Sequence, residues 1–369
     1  MVPVSAIPGL FKTDVKQTFT ILFSFCFVHP RAVISMRNVG VREIARKTGF
    51  SPATVSNALS HKRSVSKETA EIIQKAAREL GYEQVNELSQ VNFVLARRTG
   101  KVLDEGTFHP GVMEGVERAA GAEGLKTVFT NLELSSRSVA EKQVSLIIHD
   151  PSNAVVLLGT EMEEKDYQLF ADAEVPIVVV DGWSDRLFFE CIVTSNENSS
   201  FHAVNHLIEM GHREIGYITG DYQIRNFPLR ERGYRRAMHE AGLTINPAFR
   251  VTVGTTVSTA HDAMDAWLSG NPKLPTAFFA ENDIMAFGCM RALTEHGVKI
   301  PDDVSIIGFD DLSFASVANP PLSTEHVYNR EMGELAVKTL MDRVRDPRPF
   351  TSVVHFSTTF VERESVRRL

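Results

Sequence analysis

Residues 41–59, Val41-Arg-Glu-Ile-Ala-Arg-Lys-Thr-Gly-Phe-Ser-Pro-Ala-Thr-Val-Ser-Asn-Ala-Leu59, decide the fold of the first part of the chain. Ile44 and Ala45 give a short first helix an apolar face, and Gly49 allows a tight turn where a Cβ would clash. The Ser51 hydroxyl can cap a second helix, because it can accept a hydrogen bond from a backbone N–H that lacks a partner inside the helix. Together these signals predict a helix-turn-helix.

The second helix is expected to turn its apolar residues toward the first. Val55, Ala58 and Leu59 are spaced three and four residues apart, so they share one face of the helix. The opposite face carries the small residues Pro52, Ala53, Ser56 and Asn57. A narrow face of this kind fits the major groove of DNA, with the first residues of the helix against base edges.

Positive charge is concentrated in the same part of the chain. The whole chain has a net charge of −7, yet residues 36–67 contain a single carboxylate, Glu43. The cations of this segment are Arg37, Arg42, Arg46, Lys47, Lys62, Arg63 and Lys67. Such a patch attracts the phosphates of duplex DNA. An ordinary three-helix bundle with a solvated basic face is the alternative interpretation.

Two further motifs extend the pattern into a family resemblance. The segment Ser51–Leu59, followed by Val65-Ser-Lys-Glu-Thr69 and Leu80-Gly-Tyr82, resembles the DNA-binding headpiece of the lactose/galactose-repressor (LacI/GalR) family. The resemblance implies that bases are read by Pro52, Ala53 and Asn57. It implies that phosphates are approached by Thr54, Ser56 and the segment 60–64, which includes Lys62 and Arg63. Many members carry Arg or His where this chain has Asn57, so the operator sequence cannot be copied from a relative.

Beyond residue 90, apolar strands alternate with amphipathic helices, which favours parallel sheets covered on both faces. The strands predicted for a first lobe are 92–96, 127–130, 154–158, 177–181 and 191–194, with helices at 111–123, 140–148 and 163–173. A second lobe is predicted from strands 214–219, 250–253, 276–280 and 305–309 and helices 201–210, 230–241, 259–269 and 284–296. Helix 331–345 should return to the first lobe, and strand 353–356 should end in the second.

Three motifs connect this part to the same family. The segments 211–217, 279–286 and 301–311 resemble the sugar-binding core of LacI/GalR regulators and of periplasmic binding proteins. The predicted fold is therefore an all-α helix-turn-helix headpiece joined to an α/β, periplasmic-binding-protein-like core of two doubly wound parallel-sheet lobes. Ligands bind such sheets at the carboxyl ends of the strands, so a cleft is expected between the lobes.

Polar residues at predicted strand ends are the candidates for ligand contact. Asp181 and Asp310 each end an apolar strand, and Asn282 follows another. The resemblance assigns ligand contact to these three, to the clamping Arg230 and to the loop residues Phe108 and His109, with Thr255 and Asn226 as weaker matches. For each carboxylate alone, a helix cap or a salt bridge is an equally good explanation. Trp183 could stack on a sugar, although packing is the commoner role of an aromatic residue in a loop.

Other chemically notable residues are interpreted as structural. Asp303 and Asp311 are expected to be solvated or capping, and the histidines His202, His206 and His212 to be surface or packing residues. The three cysteines are too few and too scattered for a disulfide framework, which favours a reducing compartment. Two of them, Cys191 and Cys289, are expected in the core. No catalytic residues, metal site or cofactor are expected.

The sequence predicts four segments: an extension at 1–35, a helix-turn-helix domain at 36–82, a short linker at 83–90, and a two-lobed ligand-binding and dimerisation domain at 91–369. The apolar run 19–28 is too short to span a bilayer, and a dispensable extension is favoured over a signal or anchor. The family's linker is usually longer and inserts a leucine into the minor groove. Leu88 is the nearest candidate, and the short linker puts such wedging in doubt.

The function predicted is that of a cytoplasmic transcription regulator, favoured as a repressor, and not of an enzyme. It would bind a palindromic double-stranded DNA operator as a homodimer and respond to a small-molecule effector, with a carbohydrate favoured. No membrane partner is expected. Two alternatives remain: a sugar-binding protein without DNA function, and an enzyme acting on a carbohydrate in the cleft.

Overall fold

The computed structural model describes residues 40–59, 65–80, 88–103 and 108–369. The chain divides into two compact units between Val85 and Asn86. The three helices described in the first unit are α1 (Val41–Thr48), α2 (Pro52–Leu59) and α3 (Lys67–Leu80). The predicted extension 1–35, residues 81–82 of the predicted helix-turn-helix domain and residues 83–87 of the predicted linker lie outside the described residues.

The first unit folds around a small apolar core supplied by all three helices. Its fully buried side chains include Ile44 of α1, Val55 of α2 and Ile73 of α3. Gly49 ends α1 with φ +76°, the left-handed conformation that a residue without a Cβ adopts at low cost. The Ser51 hydroxyl accepts a hydrogen bond from the Thr54 N–H at 3.0 Å. These contacts confirm the predicted turn and the predicted cap.

In the second unit, one lobe is built on a six-stranded parallel sheet with the order β11-β5-β4-β3-β1-β2. The strands are β1 (Gln90–Arg97), β2 (Lys126–Glu133), β3 (Asn153–Leu158), β4 (Ile177–Val180), β5 (Glu190–Thr194) and β11 (Val353–Phe356). Helices α4 (His109–Ala122) and α10 (Asn329–Arg345) cover one face, and α5 (Arg137–Ile148) covers the other. We call this the first lobe.

The second lobe has a four-stranded parallel sheet with the order β7-β6-β8-β9. Its strands are β6 (Ile215–Gly220), β7 (Arg250–Val253), β8 (Ala277–Ala280) and β9 (Ser305–Ile307). Helices α6 (Asn196–Glu209) and α7 (Phe227–Glu240) pack on one face, and α8 (Val257–Ser269) and α9 (Asp283–Glu295) on the other. Both lobes are thus doubly wound, as predicted.

The C-terminal part of the chain crosses between the lobes more often than predicted. Strand β10 (Thr324–His326) lies beside the second-lobe sheet, and α10 then returns to the first lobe as expected. The assignment of strand 353–356 to the second lobe is wrong, because β11 pairs in parallel with β5 of the first lobe. The chain crosses back only afterwards, through β12 (Thr359–Val361), which pairs with β10.

The remaining predictions concern one helix of the first lobe, the cysteines and membrane-spanning segments. Predicted helix 163–173 is only a 3₁₀-helix, Glu164–Phe170. Cys191 and Cys289 are free and buried, as expected. None of the helices in the described part of the chain is both long and apolar enough to cross a membrane.

Candidate DNA-binding helix and ligand cleft

Helix α2 presents the residues that were predicted to meet DNA. Pro52, Ala53 and Ser56 are exposed, while Thr54 and Asn57 are half-buried. The opposite face is buried against α1 and α3, so its orientation within the unit is fixed by packing. Whether these five residues contact DNA stays a prediction.

The basic residues of α1 lie on the surface. Arg42, Arg46 and Lys47 are exposed, and Lys47 forms an ion pair with Glu79 of α3 at 2.8 Å. The predicted phosphate contacts Lys62 and Arg63 lie outside the described residues.

The buried part of the interlobe cleft is organised around Arg230 of α7. Its Nε donates to Asn196 Oδ1 at 2.8 Å, its Nη1 donates to the Glu281 carbonyl, and its Nη2 donates to Asp310 Oδ1 at 3.3 Å. The guanidinium also lies 3.8 Å from the ring centroid of Phe309. Two predicted ligand residues, Arg230 and Asp310, are therefore in direct contact.

Asp181 of the first lobe is connected to the Arg230 contacts through Asn226 and Asn196. Its Oδ2 accepts from the Thr160 hydroxyl at 2.6 Å, and its Oδ1 accepts from Asn226 Nδ2 at 2.7 Å. Asn226 belongs to the second lobe and accepts in turn from Asn196 Nδ2 at 3.1 Å. We call the connected set Asp181, Asn196, Asn226, Arg230 and Asp310 the floor of the cleft.

Burial controls the charge state of the floor carboxylates. Desolvation raises the pKa of Asp310 to about 6, although the neighbouring Arg230 guanidinium opposes the shift. Burial likewise raises the pKa of Asp181, against the hydrogen bond from Thr160 and the charge of Arg230. The floor therefore offers carboxylates, amides and a guanidinium side by side, the groups that bind paired hydroxyls.

Asn282 is the N-cap of a helix beside the floor. Its Oδ1 accepts from the Met285 N–H at 2.9 Å and so caps α9. Its side chain amide nitrogen can still donate to a ligand. The preceding Glu281 is fully buried, and its carboxylate accepts from Tyr217, Thr219 and the Gly220 N–H.

The other predicted ligand residues make none of the contacts that connect the floor. Phe108 and His109 stand at the start of α4, and the Phe108 carbonyl accepts from Asn329 Nδ2 at 3.2 Å. Thr255 joins the lobes, since its hydroxyl donates to the Lys101 carbonyl at 2.8 Å. The preceding loop 104–107 is outside the described residues, so ligand contact by Phe108 and His109 stays a prediction.

A second group of interlobe contacts lies toward the solvent. Arg225 of the second lobe donates to Glu164 at 3.0 Å and to the Trp183 carbonyl at 2.9 Å, and it forms an ion pair with Asp185. Its guanidinium also stacks on the Trp183 ring at 4.5 Å from the centroid. We call Glu164, Trp183, Asp185 and Arg225 the rim of the cleft. Trp183 thus packs, as the commoner role suggested.

The rim carboxylate Glu164 is firmly ionised. Burial alone would raise its pKa, but hydrogen bonds from Ser184, the Asp185 N–H and Arg225 lower it to about 2. Sequence reasoning missed Arg225, because no pattern marks a lone arginine in a loop. It also missed Asn196, which the strand-end rule could have found, since it follows β5 by two residues.

The two carboxylates that were expected to be solvated or capping, Asp303 and Asp311, differ in their surroundings. Asp303 is exposed, as expected for a solvated residue, and accepts from the Lys299 N–H within a turn. Asp311 is not simply solvated or capping, because it accepts from Arg363 at 2.7 Å and lies 2.9 Å from His326 Nδ1. Asp310 and Asp311 have φ +111° and +55°, so irregular backbone rather than strand alternation sends their side chains to different partners.

The three histidines are surface or packing residues, as predicted: His202 is exposed, and the other two pack. His206 lies against the Phe360 ring at 4.4 Å, and His212 is buried with its ring nitrogens near Thr276 and the Arg367 carbonyl. Among the residues described, no cluster of three or more His, Cys, Asp or Glu side chains could share a metal ion.

Both units match known families. The bacterial lacI-family regulatory protein domain matches residues 41–84, and the periplasmic binding protein-like domain matches residues 204–366. The chain thus combines a lacI-family DNA-binding domain with a periplasmic binding protein-like domain. Helix α2 and the floor residues Asn226, Arg230 and Asp310 lie within these two matched segments, whereas Asp181 and Asn196 precede the second segment.

The relatives are transcriptional repressors. The repressor PurR of Vibrio campbellii (strain ATCC BAA-1116) is 29% identical over 335 residues, covering 89% of this chain and 99% of PurR. PurR of Haemophilus influenzae (strain PittEE) is 28% identical over 307 residues, covering 82% of this chain and 90% of the relative. These proteins are DNA-binding regulators and not enzymes.

Two solved structures have a similar fold. A complex of the transcriptional regulator CelR with cellobiose has 26% identity and a TM-score of 0.67, covering 88% of this chain and 99% of that chain. The lac repressor dimer bound to operator and the anti-inducer ONPF has 21% identity and a TM-score of 0.65, covering 90% and 100%. The latter likeness concerns the fold alone.

Proposed function

We propose that this protein is a sequence-specific DNA-binding transcription regulator, acting as a repressor, whose operator binding is controlled by a small ligand in the interlobe cleft. The observation that carries the proposal is the presence of both domains in one chain, a LacI-family helix-turn-helix and a two-lobed core with a buried polar floor. A sugar-binding protein without DNA function would not need the first domain.

The readers of the operator are proposed from the exposed face of α2. Pro52, Ala53 and Asn57 meet base edges, and Thr54 and Ser56 approach the backbone. Lys62 and Arg63 add phosphate contacts. Phosphate contacts hold the domain on DNA, whereas the base contacts choose the sequence.

The effector is proposed to be a carbohydrate. The floor offers the carboxylates of Asp181 and Asp310, which follow strands of the two sheets, together with the guanidinium of Arg230, and the amide of Asn282 lies beside the floor. This mixture matches a molecule with many hydroxyl groups better than an apolar one. The solved structure of the similar regulator CelR is a complex with a sugar, cellobiose.

The protein is proposed to act as a cytoplasmic homodimer, since two headpieces related by a two-fold axis fit two half-sites of a palindrome. Apolar side chains are available for such contact. Phe129 on edge strand β2 is 46% exposed, and Phe314 and Val317, beside α9, are 63% and 75% exposed. The two buried free thiols agree with a reducing compartment.

Selection of bound sequences from random duplex DNA, with the full chain, tests the DNA function. Asn57→Ala should change the preferred base at one operator position, because it removes a base reader. Lys62→Ala should weaken binding to all sequences alike and reduce the salt slope by about one phosphate contact. Identical behaviour of the two variants would refute the division into readers and phosphate contacts. Absence of any sequence preference in the parent would refute the proposed function.

A further inference from the structure

Three segments connect the two lobes and form a hinge. Residues 194–196 join β5 to α6, residues 326–329 join β10 to α10, and residues 356–359 join β11 to β12. Because the strands and helices on either side belong to different lobes, a change in lobe angle must be absorbed by these segments.

Glu325 of β10, immediately before the second connection, is a carboxylic acid in a buried position. Its side chain is almost completely buried, with a relative exposure of 1%. Its Oε2 accepts from the Thr358 hydroxyl of the third connection, and its Oε1 is buried without a hydrogen-bond partner among the described residues. An ionised carboxylate with only one donor would be strongly disfavoured here.

Glu325 also borders a small polar cavity of about 230 Å³ inside the hinge. Ser195 and Ser199 line it from the first connection and α6, and Ser357 and Thr358 line it from the third. Opening of the lobes would move these segments relative to one another, so water would reach the carboxyl group. The environment of Glu325 is thus coupled to the lobe angle.

We propose that Glu325 is a proton-dependent switch of lobe closure. In the closed arrangement it is the neutral acid. On opening, its O–H bond breaks, the proton goes to solvent and the carboxylate is hydrated. Raising the pH therefore favours the open arrangement. The effect on operator binding rests on the proposed function, whereas the effect on lobe opening does not.

The raised pKa of Glu325 agrees with its burial beside the hinge cavity. Burial raises the pKa of Glu325 to about 7, although the hydrogen bond from Thr358 opposes the shift. Its ordinary value is 4.5, so the folded, closed state binds the proton more tightly than a hydrated state does. Closure is stabilised below pH 4.5 and loses that stabilisation as the pH rises through about 7.

A short path leads from this acid to the floor of the cleft. The backbone carbonyl of Glu325 accepts from the Asp310 N–H at 2.9 Å, and the Asp310 carboxylate is paired with Arg230. Displacement of β10 on ionisation would therefore shift Asp310 against Arg230. The proton and the effector act on the same arrangement, so each should change the affinity for the other.

Other titratable groups surround the site and must be separated from Glu325. Helix α6 contributes His202, which borders the same cavity, and His206; the adjoining segments contribute Asp310, Asp311, His326, Glu362 and Arg363. Strand β12, which pairs with β10, carries no titratable side chain in Thr359–Val361. No charged neighbour is among the causes of the shift at Glu325.

The fluorescence of Trp183 can report lobe opening. Its ring, in the first lobe, stacks on Arg225 of the second lobe, and the other tryptophan, Trp267, is packed on Phe278 within the second lobe. Trp267→Phe in the full chain leaves one probe at the rim. We expect its emission to change as the pH rises from 4.5 to about 7, the window between the two pKa values. One proton permits at most a tenfold change in the open-to-closed ratio per pH unit.

Three further substitutions in the Trp267→Phe protein test whether Glu325 is the group that controls lobe opening. Glu325→Gln should abolish the transition, because the amide cannot ionise, whereas His202→Gln should retain it. Thr358→Val should raise the midpoint by about half a unit or more, since it removes the hydrogen bond that favours the carboxylate.

No transition in the parent, its retention in Glu325→Gln, its loss in His202→Gln, or an unmoved midpoint in Thr358→Val would overturn the proposal. If Glu325→Gln fails to fold, the shift in Thr358→Val decides alone. A regulator that binds no operator but shows the transition would refute only the proposed function.

Discussion

The floor and the rim of the cleft both use an arginine, and they differ in what surrounds it. Arg230 in the floor has a side chain that is 7% exposed and is held by second-lobe groups, Asn196, Asp310 and the Glu281 carbonyl. Arg225 in the rim is 23% exposed and is held by first-lobe groups. The floor arginine therefore organises the second-lobe side of the floor, whereas the rim arginine joins the lobes.

This difference decides how strongly each contact matters. Removing one partner from a buried pair leaves an uncompensated charge, which costs far more than the net value of the pair. A partly exposed pair competes with water and salt, and contributes little by itself. Substitutions in the floor should thus affect stability and ligand binding together, whereas substitutions in the rim should affect mainly the population of the closed arrangement.

Arg230→Ala is expected to have the largest effect. It leaves the buried Asp310 carboxylate without its cation and should lower the free energy of unfolding by about 3 kcal/mol in urea titrations at neutral pH. The response to any sugar that stabilises the parent protein in a thermal-shift screen should disappear, while operator binding is retained. Arg232→Ala, on the same helix but 59% exposed, is the control and should change stability by less than about 0.5 kcal/mol. Equal effects of the two substitutions would contradict a floor organised by Arg230.

Asp310→Asn should change the pH dependence of stability. The pKa of Asp310 is raised to about 6, so its protonated form stabilises the fold at acid pH and this contribution is lost as the pH rises from about 4 to about 6. The difference in unfolding free energy between parent and variant should therefore shift by on the order of 2 kcal/mol, in favour of the variant, over that window. A difference that does not vary with pH would show that Asp310 is ionised throughout.

Arg225→Gln should have the smallest effect on stability, about 1 kcal/mol or less, because the rim is partly solvated. Its characteristic result is salt dependence: the difference from the parent should shrink between about 0.05 M and about 0.5 M salt, since exposed charges are screened. Arg235→Gln, an exposed cation of α7 that pairs within its own lobe, is the matched control for lobe opening. If both variants change the emission of Trp183 equally, the rim does not join the lobes.

Local patterns explain what the sequence predicted well. The helix-turn-helix follows from Gly49 and Ser51, whose backbone freedom and capping hydroxyl act within three or four residues. Asp181 and Asp310 were found because each ends an apolar strand, and the parallel sheets bring such ends to one cleft. Their meeting with Arg230 follows from the resemblance and not from any local signal.

Non-local pairing explains what the sequence missed. The prediction for strand 353–356 names the wrong lobe, because the sequence of a single apolar strand does not indicate which sheet it joins. In the structure the strand pairs with the free edge of β5 in the first lobe. Arg225 and Glu325 are single charged residues without a repeating pattern. Their roles arise from segments far apart in the chain, Glu164 for the first and Thr358 for the second.

The route of the last segments has a consequence for synthesis. Helix α10 and strand β11 complete the first lobe, whose other strands precede residue 195, and residues 359–369 then return to the second lobe, where Ile306 donates to the Ser365 carbonyl. A ribosome must therefore have translated nearly the entire message before either lobe can close its final edge. A product terminated after the first compact unit, which ends at Val85, carries all three headpiece helices and none of the floor residues, so it lacks the groups proposed to sense the effector.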